Sequence, residues 1–167
     1  MAGVEVRRAA AADVDVVIGV LDESAAWLAA RGVVQWPPAF RPEWLEPALR
    51  DGDVWLAERD GAAVATVTLQ WADRLWPDDG RAGYVHRFAV CRRAAGLGPE
   101  LLAWAAGATR DRGRDLLRLD CDAGNARLRR YYEAAGFAHR GDVVFPAAGL
   151  NWRTGDIVVS RYERSIS

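Results

Sequence analysis

Lysine is absent from this chain, and all twenty-two non-histidine basic side chains are arginine. We read that mainly as compositional bias, and it leaves the protein no lysine of its own to modify. Cysteine is nearly absent: Cys91 and Cys121 stand far apart, with no CxxC pair and no histidine cluster nearby. That spacing excludes a disulfide framework and offers no metal site, so both are read as reduced, buried thiols of a cytoplasmic protein. No apolar run approaches the roughly 18 residues needed to cross a bilayer. The opening segment MAGVEVRRAAAADVD has no long apolar core and reads as no secretion signal. A large excess of positive charge is also missing. The net charge of −1 argues against a general nucleic-acid or membrane-surface partner, although local basic patches remain open.

Enough apolar material is present to build a core. The hydrophobic fraction is 51% and the charged fraction 27% over 167 residues, which suits one α/β domain spanning 1–167. Val4 to Arg8 alternates as a half-buried or edge strand. Asp13 then suits a helix cap or first turn. Val14, Val17, Ile18, Leu21, Ala25 and Leu28 recur at helical spacing, giving a helix over Val14 to Ala30 closed by Gly32. Pro37-Pro38 rules out regular structure between Val33 and Arg41. Pro42 opens a short helix, Glu43 to Arg50, which Pro47 is expected to limit. Asp60-Gly61 marks a hairpin between strands Val54 to Glu58 and Ala63 to Trp71.

A polar loop, Asp73 to Gly83, precedes an apolar strand, Tyr84 to Cys91. Beyond it the pattern predicts a helix over Leu101 to Arg112, a strand over Leu116 to Cys121 and a helix over Ala126 to Ala135. Two further strands, Phe137 to Val144 and Asp156 to Arg164, flank a loop-like stretch, Phe145 to Thr154. The order β-α-α-β-β-β-α-β-α-β-β implies a mixed sheet with helices on both faces.

The stretch YVHRFAVCRRAAGLGP, Tyr84 to Pro99, organises the rest. A buried strand runs into an arginine pair and then a glycine turn that opens a helix. Such a turn can cradle phosphate, because free N–H groups and the helix dipole favour anions and glycine permits close approach. It also occurs as an ordinary βα turn. Three loop families compete for it. A P-loop ends in Gly-Lys-Ser/Thr, whereas Gly98 is followed by Pro99-Glu100 and there is no lysine. A dinucleotide loop needs different glycine spacing and a place near the start of the domain. The third is the Arg/Gln-x-x-Gly-x-Gly/Ala loop, which Arg93-Ala94-Ala95-Gly96-Leu97-Gly98 matches.

Through this loop the chain resembles the GCN5-related N-acetyltransferases (the GNAT family) over nearly its whole length. A second signature supports the resemblance: Asn125 followed by Tyr131-Tyr132-Glu133-Ala134-Ala135-Gly136-Phe137 is similar to the family's Asn…Leu-Tyr-Glu-x-x-Gly-Phe ending. The resemblance implies the GNAT fold, a mixed sheet of about seven strands whose two central parallel strands splay apart. It also implies acetyl-CoA as cosubstrate, with no metal. The amides of Ala94, Ala95, Gly96, Leu97 and Gly98 would hold the pyrophosphate, with help from Arg92 or Arg93. The backbone of Phe88, Ala89 and Val90 would pair with the pantetheine arm. Asn125 would contact that arm, and Tyr132 would reach the thioester sulfur. Two positions depart from the pattern. Pro99 removes one N–H donor, though it suits a first helical turn. Ala95 stands where a basic residue is frequent, so cofactor binding is expected to weaken somewhat.

Acetyl transfer to an amine needs a deprotonated amine, a polarised carbonyl and a protonated leaving thiolate. Tyr132 is the candidate acid, and its neighbour Tyr131 faces another side of the helix. A strand amide near Val90 would polarise the carbonyl. His86 is the candidate base, placed two residues from Phe88 and hence on its face. The alternative for His86 is a structural histidine hydrogen-bonded in the sheet, and deprotonation through water with no dedicated base fits the sequence equally. His139 reads as surface. The chain holds eight tryptophans. Trp36, Trp71 and Trp76, with Trp27, Trp44, Asp73, Asp78 and Asp79, could line a site for a partly apolar small-molecule amine. The same residues could equally be core and solvated loop. The expected activity is N-acetylation of a small primary amine by direct transfer. Acetylation of a protein or peptide N-terminus and a silent acyl-CoA-binding module are the alternatives. A homodimer is a further expectation, from exposed strands near the C-terminus.

Overall fold

The computed structural model describes residues 3–78, 80–145 and 155–167. Strand β1, Val4–Arg8, leads through a 3-10 turn, Ala11–Asp13, into helix α1, Val14–Ala29. Asp13 does not cap α1. Its carboxylate turns back, accepting Arg7 Nη1 at 2.8 Å and the Ala10 N–H at 2.7 Å. Helix α1 buries Val17, Leu21 and Ala25 of the expected stripe together with Val20, which the pattern did not include, while Val14, Ile18 and Leu28 are half-buried.

Helix α2, Pro42–Asp51, contains Pro47 and continues past it, contrary to expectation. Pro47 deprives the Glu43 carbonyl of its helical donor. Glu43 is exposed, so water can serve that carbonyl, while buried Leu45, Ala48 and Leu49 hold the helix down.

Strands β2, Val54–Arg59, and β3, Ala62–Gln70, follow as an antiparallel pair. Strand β4, Ala82–Val90, starts two residues earlier than its sequence suggests. Gly83 explains the extension. A Cβ there would stand 2.3 Å from Thr109 Oγ1, so only glycine permits this approach of the next helix. After a 3-10 turn, Arg92–Ala94, helix α3 spans Gly98–Asp111, with Pro99 in its first turn as expected. Strand β5, Leu116–Asp122, helix α4, Ala126–Ala134, and strands β6, Ala138–Phe145, and β7, Ile157–Ser165, complete the described chain. From residue 146 onward the expected loop Phe145 to Thr154 lies outside the described residues, as does Asp79.

Among the described residues the strands form one seven-stranded mixed sheet in the order β1-β2-β3-β4-β5-β7-β6. The parallel ladder of β4 with β5 runs only from Ala82–Leu116 to Tyr84–Arg118. It then ends, although β4 continues to Val90, and this is the form the expected splay takes. β4 also carries an irregularity that its sequence hides. Arg87 has φ of +45°, in the left-handed region that a non-glycine residue seldom enters.

The chain divides into two compact units, Met1–Leu69 with His86–Leu101, and Gln70–Val85 with Leu102–Ser167. The core of the first joins Val17 and Leu21 of α1, Leu45 and Leu49 of α2, and Val54 and Leu56 of β2. The second is centred on Tyr84, Leu117 and Tyr162, all essentially inaccessible to solvent. It also contains a buried charge. Arg118, with its side chain 5% exposed, pairs with Glu163 at 2.8 Å and Asp78 at 2.9 Å. It donates to the Tyr84 hydroxyl at 3.1 Å and stacks 4.2 Å from the Trp76 ring centroid. Burial opposes its charge, but the hydrogen bonds to Glu163, Asp78 and Tyr84 together outweigh that and raise its pKa.

Candidate active site

The glycine turn sits in the first unit, and three of its amides are already spent. The N–H groups of Ala94, Ala95 and Leu97 donate to the carbonyls of Cys91, Arg92 and Ala94 at 2.9, 3.1 and 3.1 Å. These tight bonds shape the turn, with Gly96 at φ +96°. The amides of Gly96, Gly98 and Glu100 have no acceptor among the described residues. Gly98 is also buried, where an N–H without a partner is costly. Three open donors at the head of a 14-residue helix fit a diphosphate. Of the run from Ala94 to Gly98, only Gly96 and Gly98 thus keep open amides, and Glu100 adds a third beyond it.

The arginine pair before the turn has contacts of its own. Arg93 Nη2 donates to the Ala63 carbonyl at 2.5 Å, and Arg93 Nη1 lies 3.3 Å from Glu23 Oε1. Arg92 stacks 4.4 Å from the Trp27 ring centroid. Both side chains are exposed, and the stack on Trp27 leaves the N–H groups of Arg92 unengaged by it.

His86 and Phe88 are both half-buried on β4. The period-two argument that gave them one face does not carry through a left-handed residue between them, so Arg87 removes its basis. Ala89 is buried and Val90 half-buried.

In the second unit Tyr132 lies on α4 and is 6% exposed. Its ring packs at 5.5 Å from Tyr131, 5.9 Å from Phe137 and 6.3 Å from Tyr162. Its hydroxyl has no hydrogen-bond partner among the described residues. Burial, then the nearby Cys121, Tyr131 and Asp120, pushes its pKa well above the ordinary phenol value. Such a phenol stays protonated at neutral pH and can offer its O–H in a hydrogen bond. Asn125 caps α4, with Oδ1 accepting the Leu128 N–H at 3.1 Å. Its Nδ2 is left without a partner among the described residues.

The three candidate acceptor tryptophans have separate surroundings. Trp36 is half-buried in the first unit, edge-on to Phe40 at 6.0 Å. In the second unit, Trp71 is stacked by Arg112 at 4.3 Å and Arg114 at 5.7 Å. Trp76 is buried beneath Arg118 and Arg161, at 4.2 and 5.4 Å. Arginines therefore stack on Trp71 and Trp76, two of the three rings expected to receive an amine, but among the described residues none stacks on Trp36. The acids are engaged too, since Asp78 pairs with Arg118 and Asp73 Oδ1 accepts the Leu75 N–H at 2.9 Å.

Both cysteines are buried, as expected. Burial and then Glu23 push the Cys91 thiol up to about 11, and burial and then Asp120 push Cys121 up to about 12. At pH 8 the thiolate fraction is on the order of one in a thousand or less. We expect an aromatic disulfide reagent at pH 8 to label the native thiols at least ~100-fold more slowly than the urea-unfolded chain. Equal rates would refute the burial argument. The neutral thiols favour the folded state, so their contribution is full below about pH 9 and is lost as pH rises toward 11 and 12.

Residues 21–137 match the family model described as the Acetyltransferase (GNAT) family. The chain belongs to the GNAT family. Members transfer acetyl groups from acetyl-CoA, and this protein is an acyltransferase of that kind. It is 32% identical over 141 residues to the uncharacterized N-acetyltransferase YesJ of Bacillus subtilis (strain 168), covering 77% of this chain and 78% of that protein. A GNAT acetyltransferase structure from Listeria monocytogenes 4b F2365 shares the fold with a TM-score of 0.73 and 24% identity, over 97% of this chain and 94% of that one. YncA, a putative acetyltransferase from Salmonella typhimurium solved with acetyl-CoA, aligns with a TM-score of 0.69 and 13% identity, over 98% and 94%. Among the described residues no helix is long and apolar enough to cross a membrane.

Proposed function

We propose that this GNAT enzyme acetylates a primary amine of a small molecule by direct transfer. The observation that carries the reading is the set of open amides at the head of α3, Gly96, Gly98 and Glu100. These would bind the pyrophosphate of acetyl-CoA, and the backbone of Phe88 to Val90 would orient the pantetheine arm. Bound there, acetyl-CoA supplies an activated thioester. The amine nitrogen forms the new C–N bond as the C–S bond breaks. Tyr132 gives its proton to the departing sulfur, and His86 takes the proton the amine must lose.

The test offers a panel of primary amines with acetyl-CoA and follows free thiol and product mass. We expect thiol release that depends on the amine, with a product heavier by one acetyl group. Binding of coenzyme A without thiol release for any amine would instead indicate a silent binding module.

A further inference from the structure

Arg87 is a charge in an unusual place. It stands in the middle of β4, immediately before Phe88, with its backbone in the left-handed region. Arg87 is half-buried, and its guanidinium lies against residues of α2 and the segment before it. Nη1 donates to the Trp44 carbonyl at 3.2 Å, and the guanidinium carbon lies 6.0 Å from the Phe40 ring centroid. Phe40 meets Trp36 and Trp44 edge-on at 6.0 and 6.3 Å, and its N–H is anchored by Asp22 Oδ1 at 2.9 Å. The walls are thus aromatic and fixed. No carboxylate among the described residues pairs with Arg87. Burial alone acts on it and lowers its pKa. Arg118, by contrast, is buried with two carboxylates for company. A half-buried charge without a counter-ion is partly desolvated with nothing to offset it, and a left-handed non-glycine residue carries strain of its own. Both costs fall on one position.

We infer that Arg87 receives the carboxylate of the acceptor, so that the substrate is a small primary amine of the amino-acid kind. This rests on the transferase reading above and names the class of its acceptor. The Nε–Nη2 edge of Arg87 has no acceptor among the described residues. That edge is the fork that takes a carboxylate through two parallel hydrogen bonds, which an ammonium could not reproduce. The aromatic rings of Trp36, Phe40 and Trp44 would pack an apolar side chain. A fixed cation here also disfavours acceptors that carry only positive charge. Strand rise is about 3.3 Å per residue, so Arg87 stands only a few ångströms along β4 from the backbone proposed for the pantetheine arm.

Calorimetry on the coenzyme-A-saturated protein tests this, using L-phenylalanine, L-leucine and L-methionine, each beside its primary carboxamide. At least one acid should bind about tenfold or more tightly than its amide. Arg87→Gln should remove that preference while leaving the amide's affinity in place, and Arg87→Lys should retain part of it. Acid and amide that bind alike in every pair, or that both fail to bind, overturn the inference in the wild type, whatever the variants do. A preference for acids that survives Arg87→Gln also overturns it. Thiol release with 2-phenylethylamine, together with indifference to the acids, would remove the anion site and leave the transferase reading standing.

Discussion

Replacing Tyr132 with Phe should slow kcat about 100-fold while the KM for acetyl-CoA stays within about twofold. A hundredfold is about 2.7 kcal/mol of barrier, ordinary for one positioned proton donor. The substitution separates two roles that the site superimposes. The Tyr132 ring is packed against Tyr131, Phe137 and Tyr162, and a phenylalanine ring keeps those contacts. Its hydroxyl has no hydrogen-bond partner among the described residues, so its removal breaks no protein hydrogen bond. Thermal stability should therefore hold while turnover falls. Steady-state kinetics beside a melting curve make the comparison, and an unchanged kcat would reduce Tyr132 to packing.

Arg118→Met should lower stability by about 3 kcal/mol, or a Tm loss of roughly 10 °C for a chain of this size. The methionine fills much of the volume, but it leaves the Tyr84 hydroxyl without its donor and Glu163 without its stronger partner. Arg140 Nε remains 3.2 Å from Glu163 Oε1, which keeps the loss near the low end for a broken buried pair. The stacking on Trp76 goes as well. Arg118→Lys should fall between the two, because it retains charge without the planar fork. A melting temperature within 2 °C of wild type for Arg118→Met would show that the network contributes little.

How much of this could be read from the sequence depended on how far each residue's partners lie along the chain. The glycine turn was legible because its spacing is local, and α1 because its buried stripe repeats at helical intervals. The family and the sheet followed from those local signals. Pro47 misled because helix interruption was judged without knowing that Glu43 faces water. Gly83 was assigned to a loop because its strand role depends on Thr109, twenty-six positions onward. The contacts of Arg93 with Ala63 and Glu23 were hidden in the sequence, because those partners lie thirty and seventy positions away. The tryptophans fared similarly. Their number was visible, but the arginines stacked on Trp71 and Trp76 come from distant strands and turns. Arg87 gave no local signal at all, because what sets it apart is the acid that is not beside it.

The bordering strands of the sheet, β1 and β6, have a bearing on solubility. β1 carries Glu5, Arg7 and Arg8, with Arg7 tethered to Asp13 and Glu58. β6 is kinked by a register shift between His139 and Asp142, and it carries His139, Arg140 and Asp142 on that side of the kink. A stray chain seeking to add a strand would meet fixed charge at one margin and a crooked, charged template at the other, so edge-to-edge stacking into fibrils is opposed from both sides.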